Sequence, residues 1–198
     1  MAPASTRTHL LETAARVILE RGFATSSMEF VRQHAGVSNG SLYHHFPSKA
    51  CLADALYAYT LRNFHSALLA RIAGGVSAEA GVKGLVRAYV QWVVRHPERA
   101  RLLHELRRNA SLTDGGEWTA ANADAFSALA QWVNKRVAAG DMQAMAFPVW
   151  MALVFAPAMA LTPGWVAHAK PAVSPQLRAT LALAAWKAVA VPEREFTR

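Results

Sequence analysis

Cysteine and charge are both scarce in this sequence of 198 residues, and each scarcity excludes a class of protein. The single cysteine, Cys51, cannot form an internal disulfide, and it cannot supply the Cys-x-x-Cys or Cys/His spacing of a zinc site. Only 17% of residues are charged while 53% are hydrophobic, which excludes wholesale disorder. We therefore expect a reduced, folded protein with no bound metal and no cofactor.

Strand-like alternation of apolar and polar residues is absent over any useful length, whereas apolar residues recur at helical spacing. The sequence therefore predicts an all-α fold of about nine helices. A capping box at Ser26 and Glu29 is expected to start the second helix, and Gly36 to end it. The predicted helices span about 6–21, 26–35, 38–46, 48–72, 78–95, 97–108, 118–139, most of 142–169, and 175–191.

Residues 142–169 contain no Asp, Glu, Lys or Arg and are long enough to cross a bilayer. Three prolines in this stretch would leave backbone groups unpaired in lipid, so a buried helix or a helix at a subunit interface is the preferred interpretation. No apolar region follows the arginine in the first eight residues. We therefore expect no secretory signal, no membrane association and a cytoplasmic location.

The net charge of +8 suggests a polyanionic partner, either nucleic acid or an anionic membrane surface. Residues 1–50 hold five basic and three acidic side chains, so charge alone does not single out the N-terminal part. A dense basic run lies on the fifth and sixth predicted helices. Its arginines form either a solvated face paired with Glu98 and Glu105 or a surface that binds an anion. They are Arg95, Arg99, Arg101, Arg107 and Arg108.

The segment from Gly22 to Lys49 has the spacing of a helix-turn-helix, with a helix that ends at Gly36 and a short one that begins near Ser38. In such motifs the second helix enters the major groove with its N-terminal end first. That end carries small polar residues, of which Asn39 can bond a base edge and Gly40 allows a close approach. Four side chains could reach flanking phosphates: Ser27, Tyr43, His44 and Lys49.

The same segment resembles the tetracycline-repressor-like (TetR) family of transcriptional regulators over about 45 residues. The matching strings are Gly22-Phe23, Thr25-Ser26-Ser27, Ala35-Gly36-Val37-Ser38, Gly40-Ser41-Leu42-Tyr43-His44-His45-Phe46 and Ser48-Lys49. Arg32 departs from the small residue that the family usually has there. The resemblance implies DNA contacts at Ser26, Ser27, Asn39, Gly40, Ser41, Tyr43, His44 and Lys49, while Ser38 is first a helix cap and then a possible contact.

The resemblance also implies two domains: residues 1–50 bind DNA, and residues 51–198 bind a small molecule and form a homodimer. Aromatic residues are frequent in the second domain, so an apolar or aromatic effector is expected. The candidate pocket walls are Phe64, Trp92, His104, Trp118, Phe126, Phe155 and Met159. Helix nine carries a narrow stripe that suggests a four-helix bundle with helix eight and their symmetry mates, although an intramolecular core fits it equally well. The stripe comprises Leu177, Leu181, Ala184 and Ala188.

These observations predict a ligand-responsive dimeric regulator, most simply a repressor that a small molecule releases from a palindromic operator. One alternative is a transcriptional activator of the same fold. A small helical enzyme is a weaker alternative, because neither a nucleophile elbow nor metal-ligand spacing occurs in the sequence. A protein that uses bulk charge alone, architectural or on a membrane surface, would not prefer a palindrome over random duplex.

Overall fold

The computed structural model describes residues 5–110, 112, 116–168 and 171–192. These residues form nine α-helices and no strand, with one isolated antiparallel bridge between Met142 and Ala190. The expectation of an all-α fold is confirmed. The helices are α1 (Thr6–Arg21), α2 (Met28–Ala35), α3 (Asn39–His45), α4 (Lys49–Leu69), α5 (Ala78–Arg95), α6 (Pro97–Asn109), α7 (Glu117–Ala138), α8 (Phe147–Val166) and α9 (Pro175–Val189).

Serine side chains start six of these helices. In α1, α2, α3, α4, α5 and α9 the serine before the first turn accepts a hydrogen bond from a backbone N–H of that turn. The capping box predicted at Ser26 is wrong, because the N-cap of α2 is Ser27, whose Oγ accepts from the N–H of Phe30 at 3.1 Å. Glu29 does not close such a box and bonds Arg32 and Gln33 instead.

Two prolines lie inside α8 without ending it. The helix includes Pro157 and Pro163 and continues to Val166. In length and composition it is the one helix of the described residues that could span a membrane, and 28% of its most apolar window is buried within the chain. Length and composition alone do not distinguish α8 from an apolar helix of a soluble protein.

The chain divides into two compact units. The first comprises the chain up to Asn63 together with Glu98–Ala123, and the second comprises Phe64–Pro97 and the chain from Asp124 onward. The helices α4 and α7 contribute residues to both units. The functional division at residue 50 stays a prediction.

In the first unit α1 packs against α2, and α1, α2 and α3 each bury apolar side chains. The carboxylate of Asp54 in α4, which is buried, accepts a hydrogen bond from the backbone N–H of Glu117 at 2.7 Å and so caps the start of α7. Gly116 makes this contact possible, because a Cβ there would lie 2.4 Å from Asp54 Oδ1. The buried apolar residues of α1, α2 and α3, with the residue that follows α3, include Leu10, Ala14, Val17, Ile18, Val31, Leu42 and Phe46.

In the second unit α5, α8 and α9 pack against one another. The side of α9 that faces this core carries Leu181, Ala182, Ala185 and Val189. The predicted stripe of α9 is therefore split: Leu181 is buried within the chain, Ala184 is exposed, and Leu177 and Ala188 are half-buried. The stripe does not form one continuous surface. The helix buries Ala185 and Val189, each one position after a residue of the predicted stripe.

Candidate nucleic-acid interface and aromatic core

The turn between α2 and α3 is set by Gly36, which adopts a left-handed conformation with φ 65°. Its N–H donates to backbone carbonyls at the end of α2, and glycine takes this conformation without the steric cost of a Cβ. Beyond the turn, Leu42 and Phe46 anchor α3, since both side chains are almost fully buried. The short helix is thereby fixed to the core by one side and leaves the other side free.

The opening of α3 presents small polar groups to solvent. Ser38 caps the helix by accepting from the N–H of Ser41 at 3.2 Å, while Asn39 and Gly40 are exposed and Ser41 is half-buried. A Cβ at Gly40 would meet only Ser38 Oγ, at 3.9 Å. The chain fold therefore does not require a glycine at this position, and the residue leaves room for something outside the chain.

Flanking side chains lie on both sides of this opening. Tyr43 is 48% exposed, His44 is exposed, and Ser27 is exposed at the start of α2. Lys49 is half-buried: its Nζ donates to the carbonyl of Ala24 at 3.1 Å and lies 4.4 Å from the centre of the Phe23 ring. Burial lowers the pKa of Lys49 from its usual value of 10.5.

Ser26 differs from the other predicted contact residues. Its side chain is buried, with 3% exposed, and its Oγ donates to the carbonyl of Gly22 at 2.7 Å. A hydroxyl held inward in this way stabilises the turn between α1 and α2. We therefore assign Ser26 a structural role and leave it out of the interface.

Arg32, the residue that departs from the family pattern, is tied to the α2–α3 turn. Its Nε and Nη2 donate to the two carboxylate oxygens of Glu29 at 2.8 and 2.6 Å, and its Nη1 donates to the carbonyl of Val37 at 3.0 Å. The hydrogen bonding between the side chains of Arg32 and Glu29 is the main reason that the pKa of Glu29 falls from 4.5 to about 2. Arg32 thus braces the turn that carries the cap of α3.

A contact that the sequence did not reveal joins α6 to the α1–α2 turn. Glu105 Oε1 accepts a hydrogen bond from the backbone N–H of Phe23 at 2.9 Å. The two residues are 82 positions apart, so no local spacing could have indicated the contact. Within the described residues Glu105 forms none of the ion pairs that we expected with the arginines of α6.

Aromatic rings fill the core of the second unit. Phe64 of α4 packs edge-on against Trp92 and Tyr89 of α5, with ring centres 5.0 and 5.7 Å apart, and Tyr89 contacts Phe155 of α8 at 6.2 Å. Three of the predicted wall residues, Phe64, Trp92 and Phe155, are therefore in one cluster. Tyr89 was not among the predictions.

A polar pair lies at the edge of this cluster. The hydroxyls of Tyr89 and Thr162 are 2.7 Å apart, and Thr162 also donates to the carbonyl of Ala158 at 3.1 Å. Burial raises the pKa of Tyr89 above 10.0. Such a pair amid aromatic rings is the kind of group that orients a ligand in an apolar pocket.

Phe126 joins the same network of rings: it contacts His65 at a ring distance of 6.1 Å, and His65 contacts Phe64 at 5.6 Å. Phe126 is 40% exposed and Met159 is 51% exposed. His104 and Trp118 belong to the first unit, where His104 is exposed and Trp118 packs against Tyr57. The predicted wall residues of the second unit are thus Phe64, Trp92, Phe126, Phe155 and Met159.

One open groove of about 330 Å³ lies in the first unit between α1, α4 and α6. Charged side chains from α1 and α6 stand along it, and none of the predicted wall residues lines it. The charged residues that line the groove are Glu12, Arg16, Glu98 and Arg99. Within the described part of the chain, no three His, Cys, Asp or Glu residues are grouped closely enough to hold a metal ion.

Comparison with known proteins agrees with this geometry. Residues 10–56 match the family model described as bacterial regulatory proteins of the tetR family. The transcriptional repressor KstR2 of Rhodococcus jostii (strain RHA1) is 36% identical over 84 residues, which are 40% of this chain and 39% of that protein. The chain thus aligns with about two fifths of the length of this curated relative.

Solved structures of regulators resemble nearly the whole chain. A putative tetR family transcription regulator from Shewanella sp. PV-4 has a TM-score of 0.79 and 22% identity, covering 95% of this chain and 100% of that chain. A TetR family transcription regulator from Marinobacter aquaeolei VT8 has a TM-score of 0.77 and 22% identity, covering 94% and 96%. At this identity the likeness establishes the fold.

Proposed function

We propose that the chain is a member of the TetR family of bacterial regulatory proteins, whose family model matches residues 10–56, and that it is a dimeric transcriptional repressor whose operator binding responds to a small molecule. Two copies of α3, about 34–36 Å apart, would read the two halves of a palindromic operator. This role places the protein in the cytoplasm with the bacterial DNA. An activator would use the same DNA surface and differs only in what binding does to transcription.

The exposed opening of α3 is the observation that carries the proposal. Asn39 offers an amide that can donate and accept at a base edge, and Gly40 removes the side chain that would hold the helix away from the groove. Tyr43, His44, Ser27 and Lys49 stand at the flanks, where side chains and helix N-termini contact phosphates. Base contacts then set specificity, and the flanking contacts set position.

The dimer would form through α8 and α9. The stripe of α8 that the chain leaves uncovered repeats every three or four residues and carries aliphatic or small side chains: Val149, Leu153, Ala156, Ala160 and Gly164. On α9, Leu183 is 43% exposed beside Ala184. Apolar faces of this length on neighbouring helices are typical of a subunit interface, since a second copy removes them from water.

The effector would bind in the second unit, in the aromatic cluster around Phe64 and Phe155. Its walls are aromatic apart from the hydroxyls of Tyr89 and Thr162. This composition suits an apolar or aromatic molecule with one polar group, which the hydroxyl pair would orient. The effector changes operator affinity only as far as it binds one conformation better than the other.

Selection of bound sequences from a random duplex pool tests the proposal. The wild type should enrich a palindrome, which then serves as the probe in binding assays against a scrambled duplex. We expect Asn39→Ala to reduce the preference for the palindrome, and Tyr43→Ala or Lys49→Ala to weaken binding to both duplexes and lower the salt dependence. If both kinds of variant weakened both duplexes equally, the assigned roles would be wrong.

A further inference from the structure

We propose that Arg101 and Arg108 of α6 form a second phosphate-binding surface, which extends the contact with duplex DNA beyond the helix-turn-helix motif. The occupant is the sugar-phosphate backbone that flanks the operator half-site. This inference rests on the proposed DNA-binding function and adds a binding surface to it. The basic run of α6 thereby acquires a role that the motif itself does not supply.

The position of the two arginines on α6 carries the first step. Arg101, Glu105 and Arg108 follow one another at intervals of four and three residues, so they lie on one face of the helix. Glu105 is bonded to the backbone N–H of Phe23 at 2.9 Å, which fixes this face at the α1–α2 turn. Along the helix axis Arg101 lies about 6 Å before Glu105 and Arg108 about 4.5 Å after it.

The α1–α2 turn also holds a proposed phosphate contact. Lys49 donates to the carbonyl of Ala24 at 3.1 Å and lies over the ring of Phe23. Lys49 and Glu105 thus contact the same two-residue segment, Phe23 and Ala24. We infer that a duplex that reaches Lys49 passes close to the face of α6 that bears Arg101 and Arg108.

The third observation is that Arg101 and Arg108 take part in none of the ion pairs of the described residues. Within the residues that the structure describes, the ion pairs use Arg7, Arg32, Arg62, Lys83 and Arg136. Arg101 and Arg108 are exposed and take part in none of them. The acids nearest to them in sequence are Glu98, which takes part in none of these pairs either, and Glu105, whose Oε1 is bonded to a backbone N–H. A guanidinium group matches the geometry of a phosphate with two parallel hydrogen bonds, so a phosphate backbone supplies the missing partner.

Salt dependence of DNA binding tests this surface. The probes are the selected palindrome with about ten flanking base pairs, one helical turn, on each side, and the same palindrome without flanks. We compare the wild type with Arg101→Gln/Arg108→Gln. The control is Arg87→Gln/Arg107→Gln, which removes the same charge from two exposed arginines, one on α5 and one on another side of α6.

On the flanked duplex, we expect Arg101→Gln/Arg108→Gln to lower the slope of log K against log salt by about 2 per protomer, since each lost phosphate contact contributes about 0.9. The control should keep the wild-type slope, and the palindrome without flanks should show no difference between the two variants. Melting temperatures should match the wild type, because all four side chains are exposed.

Equal slopes for both double variants on the flanked duplex would overturn the inference, because only net charge would then matter. A wild-type slope for Arg101→Gln/Arg108→Gln would overturn it too, while leaving the proposed function intact. If the wild type bound no duplex at all, the proposed function itself would fail. The two failures are therefore distinguishable.

Discussion

The first unit leaves polar side chains uncovered, whereas the second leaves aliphatic ones uncovered. Both units obey the same helical periodicity and bury one side of each amphipathic helix. In the first, the free side of α3 carries Asn39 and Gly40, and α6 adds cationic groups. In the second, the free sides of α8 and α9 carry Leu153 and Leu183.

This difference shows that the surface outside the core indicates the partner. Polar side chains on a short anchored helix suit the donors and acceptors of a DNA groove. Aliphatic side chains on long helices suit another protein surface, since only the loss of water stabilises that contact. The proposed functions of the two units follow from this chemistry.

The largest effect should come from the aliphatic surface. We expect Leu153→Arg combined with Leu183→Arg to convert the dimer to a monomer, because two charges would have to be buried at the interface. Operator affinity should fall by about 100-fold or more, since a monomer loses the second, linked half-site contact. Sedimentation and DNA binding measure the two effects.

A matched control for this variant is Asn134→Arg on the exposed side of α7, which should remain a dimer. A double variant that stayed dimeric would remove α8 and α9 from the interface and break the comparison between the two units.

The core beneath α3 should give the next largest effect. Leu42 is fully buried, so Leu42→Ala should lower the free energy of unfolding by about 2–5 kcal/mol. DNA binding should fall with it, because α3 loses its anchor. Urea unfolding measures the change. An unaltered unfolding free energy would mean that α3 is not held as the structure indicates.

Gly40→Ala should separate stability from binding. Alanine is favoured over glycine in a helix by up to about 1 kcal/mol, and the nearest atom to the new Cβ is 3.9 Å away, so the fold should be unharmed. Operator affinity should nevertheless fall by about tenfold, or about 1.4 kcal/mol, because the methyl group prevents the closest approach. Wild-type affinity would show that Gly40 does not face DNA.

The smallest effect concerns the brace at the α2–α3 turn. In Arg32→Ala the pKa of Glu29 should rise from about 2 toward 4.5, which NMR titration of its carboxyl carbon measures. Because the folded-state pKa is lowered, the stabilisation by this pair is present above pH 4.5 and is lost as the pH falls toward 2. A Glu29 pKa that stayed near 2 in the variant would place its cause elsewhere.

Local chemistry in the sequence was enough to predict the all-α fold and most helix ends. Gly22 and Gly36 mark helix ends through their backbone freedom, and Ser5, Ser38, Ser77 and Ser174 mark starts through their caps. The error at Ser26 and Ser27 arose because adjacent serines offer the same cap. Only the packing of the turn decides which hydroxyl points inward.

Long-range contacts could not be predicted in this way. The bond from Glu105 to Phe23 and the cap that Asp54 gives to α7 each join distant residues. The buried side of α9 depends on how α5 and α8 pack against it, which the periodicity of α9 alone does not determine. Scattered aromatic residues likewise could not show that Phe64, Trp92 and Phe155 belong to one cluster.

The most direct test of the central claim is to repeat the random-pool selection with Asn39→Ala beside the wild type. The account predicts that the wild type enriches two half-sites about one DNA turn apart, and that the variant loses base preference at the same symmetric positions in both halves. An unchanged preference in the variant, or enrichment of a single unpaired half-site by the wild type, would contradict the account.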